Sequence, residues 1–186
     1  IDSGGKTVPS YSGTVQFSSS DTEAVLPDNY TFLTTDEGVH TFTALTTLKT
    51  SGPQTLTVAS GSDFSASKTI IVTGGALNEL VISAPITTVT SGVFVTFVVT
   101  PKDSYGNTIT TYTGSVIFTS TDSEAILPET YTFEPSIDNG MHTISGIFGS
   151  WGTQNICVKD TLAGIQKCTS IFVYFAANPY LSLIHI

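Results

Sequence analysis

The chain has 186 residues with 15 acidic and 6 basic side chains, a formal net charge of −9 and a pI near 4.4. All six basic residues are lysines, and a chain without arginine at this charge argues against a phosphate- or nucleic-acid-binding surface. No apolar run reaches the roughly 20 residues of a membrane-spanning helix. The low charge, with about 29% Ser and Thr and many β-branched and aromatic residues, indicates strands rather than disorder or a coiled coil.

The sequence repeats itself with a period of about 101 residues. Residues 11–42 align with 112–144, and 17 of these 32 residues are identical to their partners. The shared motifs are Tyr-x-Gly-x-Val-x-Phe, Asp-x-Glu-Ala-x-Leu-Pro, Tyr-Thr-Phe and Asp-x-Gly-x-His-Thr. A unit of this length is too long for a solenoid repeat and has the usual size of a β-sandwich.

The repeat also predicts the domain boundaries. The second copy opens with residues 77–102, which have no counterpart before Ile1. We therefore expect an incomplete first copy over 1–74, a complete second copy over 75–179, and a boundary in the Gly-containing segment Thr73–Ala76. On this interpretation the chain is a piece of a longer tandem array, and the signal peptide missing at its start says nothing about export.

The last residues are set apart from the fold. Residues 180–186 are interpreted as the start of a next segment followed by a tail, Leu181–Ile186, which resembles the translated end of a transposon used in sequencing libraries. The alternative is a short apolar strand. His185 is given no role in either case.

Strand patterns run through the complete copy in chain order. Positions 93, 95, 97 and 99 alternate with their neighbours, which predicts a strand with one buried face. Asp103–Asn107 supplies turn residues after it, and no segment has helical periodicity. Seven strands are predicted, at Leu80–Ala84, Val93–Pro101, around Val116 and Phe118, Tyr131–Phe133, His142–Phe148, Gln154–Lys159 and Thr169–Phe175. The fold class predicted is all-β, with tandem Ig-like antiparallel β-sandwiches of which the first lacks its opening strands.

The motifs at Asp103–Asn107, Tyr112–Asp122, Ala125–Phe133 and Gly140–Thr143 resemble the bacterial Ig-like repeats of large secreted and surface proteins. These are broadly similar to the stalk domains of invasin-type adhesins. The resemblance implies a repeat fold and not a ligand, because such repeats mostly serve as spacers. The first copy departs from the pattern at its start, where Asp2–Lys6 replaces the Tyr-Gly-Asn turn.

Cys157 and Cys168 are both predicted to point outward from the last two strands. A hairpin that pairs them would centre its turn on residues 162–163 and keep both facings. The pair is therefore positioned for a cross-strand disulfide, with free thiols or a metal site as the alternatives. The first copy has Thr57 and Ser67 at the corresponding places, so the fold does not require a disulfide.

Two sets of polar residues recur once per copy. His40 and His142 are interpreted as histidines hydrogen-bonded at the rim of each sandwich, because the repeat supplies no nucleophile or carboxylate placed against them at a recurrent elbow. The acids Asp21/Glu23, Asp122/Glu124, Asp36 and Asp138 are interpreted as solvated loop carboxylates that partly cap turns, with Ca²⁺ at the domain junctions as the alternative. No cofactor is otherwise predicted.

Trp151 lies in the loop before the penultimate strand, where the first copy has Ser51. It is a candidate for stacking on sugar, against the alternative of packing on its own loop. No catalytic, cofactor-binding or metal-ligating residue is predicted.

The sequence thus predicts a non-enzymatic spacer repeat of a microbial surface or secreted protein, located outside the cell and projecting a distal domain. Its expected partners are neighbouring Ig-like repeats of the same chain, with no nucleic acid and no membrane span. The alternatives are an adhesin module that binds carbohydrate or a host protein, and an accessory domain of a larger secreted hydrolase.

Overall fold

The computed structural model describes residues 1–43, 46–62 and 64–175. The segment 180–186, with the tail Leu181–Ile186, and the predicted domain end at 179 lie outside these described residues. The chain divides into two compact units, unit 1 (Ile1–Thr73) and unit 2 (Gly74–Ile186). In the described part of the chain, no helix is long and apolar enough to cross a membrane.

Unit 1 holds one four-stranded sheet and a short 3-10 turn at Thr34–Asp36. Its strands are β1 (Thr14–Ser19), β2 (Tyr30–Thr31), β3 (Gly52–Ser60) and β4 (Phe64–Val72). The sheet order is β2-β1-β3-β4, and each neighbouring pair is antiparallel.

Unit 2 contains two sheets and one short helix, α1 (Pro135–Asp138). Its strands are β5 (Glu79–Ser83), β6 (Thr88–Thr90), β7 (Phe94–Lys102), β8 (Ser115–Ser120), β9 (Tyr131–Thr132), β10 (His142–Ile147), β11 (Gly152–Asp160) and β12 (Gln166–Tyr174). One sheet has the order β10-β7-β5 and the other β6-β12-β11-β8-β9. Only β6 with β12 is parallel among the strand pairs of the described residues. The all-β, sandwich-like fold predicted from the sequence is confirmed.

The core of unit 2 lies between these two sheets. Fifteen of the sixteen buried hydrophobic residues of the described chain belong to this unit, and only Val15 belongs to unit 1. Alternate residues of β7, β8, β11 and β12 point inward, so the period of two read from the sequence fixes which face is buried. The fully buried members include Phe97, Val99, Val116, Phe133, Phe148, Ile156, Val158 and Val173.

Unit 2 differs from the sequence prediction in three places. Val93 was expected to point inward, but it is 51% exposed because the strand begins one residue later, at Phe94. The strand β6 was missed because Thr88–Thr90 is short and pairs with residues more than 80 positions away. The helix α1 was missed because Pro135–Asp138 is one turn, too short to show helical periodicity.

Unit 1 reproduces one layer of unit 2. Its order β2-β1-β3-β4 corresponds strand for strand to β9-β8-β11-β12. The described residues of unit 1 contain no strand that corresponds to β5, β7 or β10. The segment 40–43, which aligns with the start of β10, has no strand assignment. One face of the unit 1 sheet therefore has no second sheet against it among the described residues.

The turn at Asp2–Lys6 has the same hydrogen bonds as the turn at Asp103–Asn107, although its sequence departs from the motif. Asp2 Oδ1 accepts hydrogen bonds from the N–H of Gly4 and of Lys6, both at 2.9 Å. Asp103 Oδ1 accepts from Tyr105 and Asn107 in the same way, both at 2.9 Å. The turn survives because it needs the leading carboxylate and a glycine with positive φ at the fourth position, which Gly5 and Gly106 provide.

The Tyr-x-Gly motif of both copies has a steric cause. The Tyr112 hydroxyl donates to Asp160 Oδ2, and its ring lies over Gly114. A Cβ built on Gly114 would stand 2.2 Å from Tyr112 Oη, and a Cβ on Gly13 would stand 2.3 Å from Tyr11 Oη. Only glycine leaves room for the tyrosine at this position.

We expect Gly114→Ala to destabilise unit 2 by about 1–3 kcal/mol, because the added methyl group displaces a part-buried tyrosine. Thr113→Ala, at the exposed neighbouring position, should change the free energy of unfolding by less than about 0.5 kcal/mol. Urea unfolding followed by circular dichroism measures both. Equal effects of the two substitutions would contradict the steric explanation.

Candidate functional site

The recurring histidine belongs to a tyrosine–aspartate–histidine cluster in unit 2. His142 Nδ1 lies 2.8 Å from Asp138 Oδ1, and the Tyr131 hydroxyl donates to the same carboxylate at 2.9 Å. The rings of His142 and Tyr131 are stacked, with centroids 3.4 Å apart. The N–H of Glu134 donates to Asp138 Oδ2 at 2.7 Å. The buried carboxylate thus ties α1 to β9 and β10.

Unit 1 contains the same cluster. His40 Nδ1 lies 3.2 Å from Asp36 Oδ1, the Tyr30 hydroxyl donates to Asp36 Oδ2 at 2.9 Å, and the rings of His40 and Tyr30 are stacked. The N–H of Leu33 donates to the second oxygen at 2.8 Å. The second copy has one inserted residue in this segment, Pro135, and both copies nevertheless form the same cluster.

Burial and the hydrogen bonds within each cluster shift the pKa values of its aspartate and tyrosine. Burial works to raise the pKa of Asp138, but the hydrogen bonds from Glu134, His142 and Tyr131 outweigh it and hold the pKa below its usual value. Burial and the adjacent carboxylate raise the pKa of Tyr131. The expectation that no carboxylate lies against the recurring histidines is wrong, because Asp138 and Asp36 lie against Nδ1 of His142 and His40. Each carboxylate also accepts from a tyrosine hydroxyl and a backbone N–H, so the cluster holds its loop and strands together.

The recurring acids Asp21 and Asp122 are buried and connect distant loops. Asp122 Oδ2 accepts from the N–H of Gly149 at 2.8 Å, and its Oδ1 accepts from Glu124 at 2.9 Å. Asp21 does the same in unit 1, where it accepts from the N–H and the hydroxyl of Thr50 at 2.9 and 2.7 Å. The expectation of solvated acids is therefore wrong for Asp21, Asp122 and Asp138, since each is buried and accepts hydrogen bonds from backbone N–H groups inside the fold.

For Asp103 the sequence predicts only a place in a turn. It is buried, and its Oδ2 accepts from the N–H of Gly75 and from Asn107 Nδ2, both at 2.9 Å. Burial works to raise its pKa, but these bonds and those from the turn N–H groups lower the pKa to about 2. Asp103 thereby fixes the place where the chain enters unit 2. Because Gly75 lies 28 residues before Asp103, no local pattern in the sequence predicts this contact.

Cys157 and Cys168 are register partners on β11 and β12, and their Sγ atoms are bonded at 2.00 Å. The corresponding residues of unit 1, Thr57 and Ser67, are also register partners, and their hydroxyl oxygens lie 2.8 Å apart. The two units thus use the same cross-strand position for a covalent and for a hydrogen-bonded contact.

Trp151 is 59% exposed and lies beside other aromatic rings of unit 2. Its ring is nearly parallel to that of Phe175, with centroids 6.3 Å apart, and edge-on to Phe172 at 6.0 Å. Tyr174 adds a further ring against Phe172. The contacts favour packing of Trp151 on its own unit, although one face of the cluster stays open to solvent.

A metal site is absent from the described residues, where no group of three or more His, Cys, Asp or Glu side chains converges. For Ca²⁺, the acids Asp21, Asp122, Asp36 and Asp138 accept hydrogen bonds from protein donors, so binding of the ion would have to displace those bonds.

Comparison with known proteins shows that this chain is similar in fold to several solved structures. No protein-family model and no curated protein matches this chain. A glycosyl hydrolase family 2 member from Bacteroides cellulosilyticus is 12% identical, with a TM-score of 0.50 over 88% of this chain and 22% of its own. The surface layer protein SbsC, domains 1–6, is 21% identical, with a TM-score of 0.42 over 94% of this chain and 21% of its own. A β-glycosidase from Bacteroides vulgatus is 12% identical, with a TM-score of 0.49 over 90% and 24%. The chain thus spans about a fifth to a quarter of the length of these solved chains, and the likeness concerns the fold alone.

The lowered pKa values predict loss of stability in acid. Burial opposes the shift at Asp103, whereas at Asp21 the N–H of Thr50 is its largest cause, and each pKa is lowered to about 2. The unfolded state binds protons first, near pH 4, so the stabilisation is complete above pH 4 and is lost as the pH falls towards 2. Urea unfolding between pH 2 and 5 measures this slope.

The matched variants are Asp103→Asn and Asp28→Asn, the second at an exposed loop position. We expect Asp103→Asn to be less stable at neutral pH and to show a shallower loss in acid, and Asp28→Asn to follow the parent protein. An unchanged acid slope in Asp103→Asn would contradict the assignment.

The cross-strand position predicts that the disulfide stabilises unit 2 without being needed for its fold. Replacing Cys157 with Thr and Cys168 with Ser installs the unit 1 pair and should cost about 2–3 kcal/mol, the value for closing a loop of this length. Thermal unfolding with and without a reductant should show a lower Tm for the reduced parent and no response in the double variant. A reductant-independent Tm in the parent would mean that the bond contributes nothing.

Proposed function

We propose that the chain is a non-enzymatic spacer of a microbial surface or secreted protein, located outside the cell, in which Ig-like repeats project a distal functional domain. The observation that carries this proposal is the parallel pairing of β6 with β12 in unit 2. The chain enters the unit at Gly74 and forms β5, which pairs with β7 in the other sheet, before it reaches β6; it passes β12 at the end of the described part. Once β5 is released from β7, tension along the chain would pull two parallel, hydrogen-bonded strands in opposite directions.

This tension would load the β6–β12 pair in shear, and the hydrogen bonds between the two strands resist it. The strand ladder is bracketed by two backbone hydrogen bonds, from Phe172 N–H to Thr87 O at 2.8 Å and from Ser91 N–H to Tyr174 O at 2.7 Å. These bonds lie across the direction of pull, so they must break together rather than one after another. Resistance to tension is the property that a projecting spacer requires.

The residues that the two copies share support the same role. The identical tyrosine, glycine, aspartate and histidine residues of both units make contacts inside their own unit, as described above for Tyr112, Asp122, Asp138 and His142. The contacts that these shared residues make inside each unit hold its loops and strands together. The disulfide in unit 2 fits an oxidising, extracellular compartment.

Two alternatives concern the same fold. A binding module would use the exposed aromatic rings around Trp151 to stack on carbohydrate, or a neighbouring surface to hold a host protein. An accessory domain of a secreted hydrolase would have the same stable sandwich, with catalysis performed outside this chain. The β6–β12 geometry favours the load-bearing role over the binding module.

The spacer proposal is tested by stretching single full-length chains from their two ends. We expect Ser91→Pro to lower the mean unfolding force of unit 2, because it removes the Ser91 N–H from the bracket. The loss in equilibrium stability from the missing hydrogen bond should be only about 1 kcal/mol. Ser91→Ala keeps the N–H and is the matched control, for which we expect the force of the parent.

An equal force for the Ser91→Pro and Ser91→Ala variants would contradict the load-bearing role. Saturable binding of the full chain to an immobilised glycan, abolished by Trp151→Ala, would favour the carbohydrate-binding module in its place.

A further inference from the structure

The Cys157–Cys168 bond closes a covalent loop within the hairpin of β11 and β12. The two cysteines are separated by 11 positions in the sequence, and residues 158–167 lie between them. A pull on the two ends of unit 2 passes from Cys157 to Cys168 through the sulfur atoms. The loop therefore carries none of the tension while the bond exists.

The register of the hairpin determines where peeling of β12 from β11 stops. The outermost pair joins Gly152 to Val173, and the pair of cysteines lies further along the same ladder. Once β6 has separated from β12, tension at the end of β12 opens these pairs one after another, because the load acts at the end of an antiparallel ladder. At the cysteines the covalent bond passes the load to β11, where Cys157 is also the register partner of Thr119 on β8. Peeling therefore stops at the disulfide.

Unit 1 has the same cross-strand position without a covalent bond. Thr57 and Ser67 are register partners there, and a hydrogen bond between their hydroxyl groups, 2.8 Å apart, is the contact that joins their side chains. The hairpin thus forms with either contact. What differs between the two units at this position is whether the hairpin can open through its turn under load.

The disulfide lies on the outer face of the sheet, where thiols in solution can reach it. Cys168 is exposed, and Gln166 Nε2 donates to its Sγ at 3.6 Å. Lys159 is exposed and lies two residues beyond Cys157 on β11, so both side chains leave the same face of the strand. A positive charge near a sulfur atom stabilises its thiolate form. Cys157 is thereby the better leaving group, and Cys168 is the more accessible target.

We propose that the Cys157–Cys168 bond is a redox-controlled stop that limits how far unit 2 extends under tension. The proposal rests on the spacer function proposed above and specifies how the length of the spacer is regulated. While the bond is intact, the hairpin opens only as far as the cysteines. After an external thiol has reduced the bond, the hairpin opens through its turn.

The reduction is a thiol–disulfide exchange with an external monothiol such as glutathione. Its thiolate attacks Cys168 Sγ, the bond between the two cysteines breaks, and Cys157 leaves as a thiolate. A second external thiolate attacks the external sulfur of the mixed disulfide, so that Cys168 leaves as a thiolate and the two external thiols become a disulfide. The protein bond gains the two electrons that the external thiols lose, and the cysteine thiolates take up the protons that those thiols release.

The size of the loop determines the change in length. Reduction frees residues 158–167 to extend, and an extended residue spans about 3.5 Å, so fully stretched unit 2 becomes longer by about 35 Å. The force that separates β6 from β12 depends instead on the hydrogen bonds of Phe172 and Ser91, which lie outside the loop. The redox state thus controls the length released, and the β6–β12 pairing controls the force.

The experiment stretches single full-length chains from their two ends, with and without reduced glutathione, and measures the contour length released when unit 2 unfolds. We expect an increment about 35 Å longer with glutathione. The Cys157→Thr, Cys168→Ser double variant should release the longer increment in both conditions. Thr57→Cys with Ser67→Cys transfers the stop, so the increment of unit 1 should become shorter by about 30 Å in the absence of glutathione.

A pair of lysine variants tests the exchange chemistry. Lys159→Gln should slow the appearance of the longer increment about threefold or more at a fixed glutathione concentration, because it removes the charge near the leaving sulfur. Lys167→Gln makes the same change in net charge on the other side of the sheet, since Lys167 is the register partner of the buried Val158, and should react as the parent does. Equal rates for the two variants would overturn the assignment of Cys157 as the leaving sulfur.

Two results would overturn the stop itself. The first is an equal increment in the parent with and without glutathione, once mass spectrometry has shown that the cysteines are reduced. The second is a double variant that releases only the short increment of the oxidised parent. Neither result depends on the unfolding force of the Ser91→Pro variant, so the stop and the load-bearing pairing of β6 with β12 can fail separately.

Discussion

A sheet with one apolar face must have that face covered, and this requirement organises the whole molecule. In unit 2 the layer β10-β7-β5 covers the layer β6-β12-β11-β8-β9, and the residues between them reach nearly complete burial. Unit 1 has the second of these layers in nearly the same order, and its equivalent residues remain half-exposed among the described residues. The same sequence motifs thus lead to different degrees of burial, because burial depends on what lies opposite a strand as well as on the strand.

Buried carboxylates are the second feature that organises the fold, because they hold the loops. Asp103, Asp122 and Asp138 each accept two or more hydrogen bonds, most of them from backbone N–H groups of loops or turns. Loops in a β-sandwich leave many donors without ladder partners, and a carboxylate satisfies several of them at once. Asp21 and Asp36 do the same in unit 1. Part of the acidic composition of the chain therefore consists of aspartates that hold its loops in place.

Comparison of the two copies separates what the fold requires from what it tolerates. Tyr112 and Gly114 are matched by Tyr11 and Gly13 because ring and glycine must fit together. Cys157 and Cys168 are replaced by Thr57 and Ser67 because an outward cross-strand pair on the sheet accepts either contact. The turns at Asp2 and Asp103 share the leading aspartate and the fourth-position glycine and differ at the third and fifth positions.

The sequence alone determined the all-β class, the repeat, most strands of unit 2 and their buried faces, because period-two alternation and turn residues are local properties. It also determined that Cys157 and Cys168 point outward and face each other across a hairpin. Only the tertiary structure decided the roles of the carboxylates, since the partners of Asp122 and Asp103 lie 27 and 28 residues away. It also decided the parallel pairing of β6 with β12. Contacts between distant segments follow from how the layers assemble, which no local pattern of residues encodes.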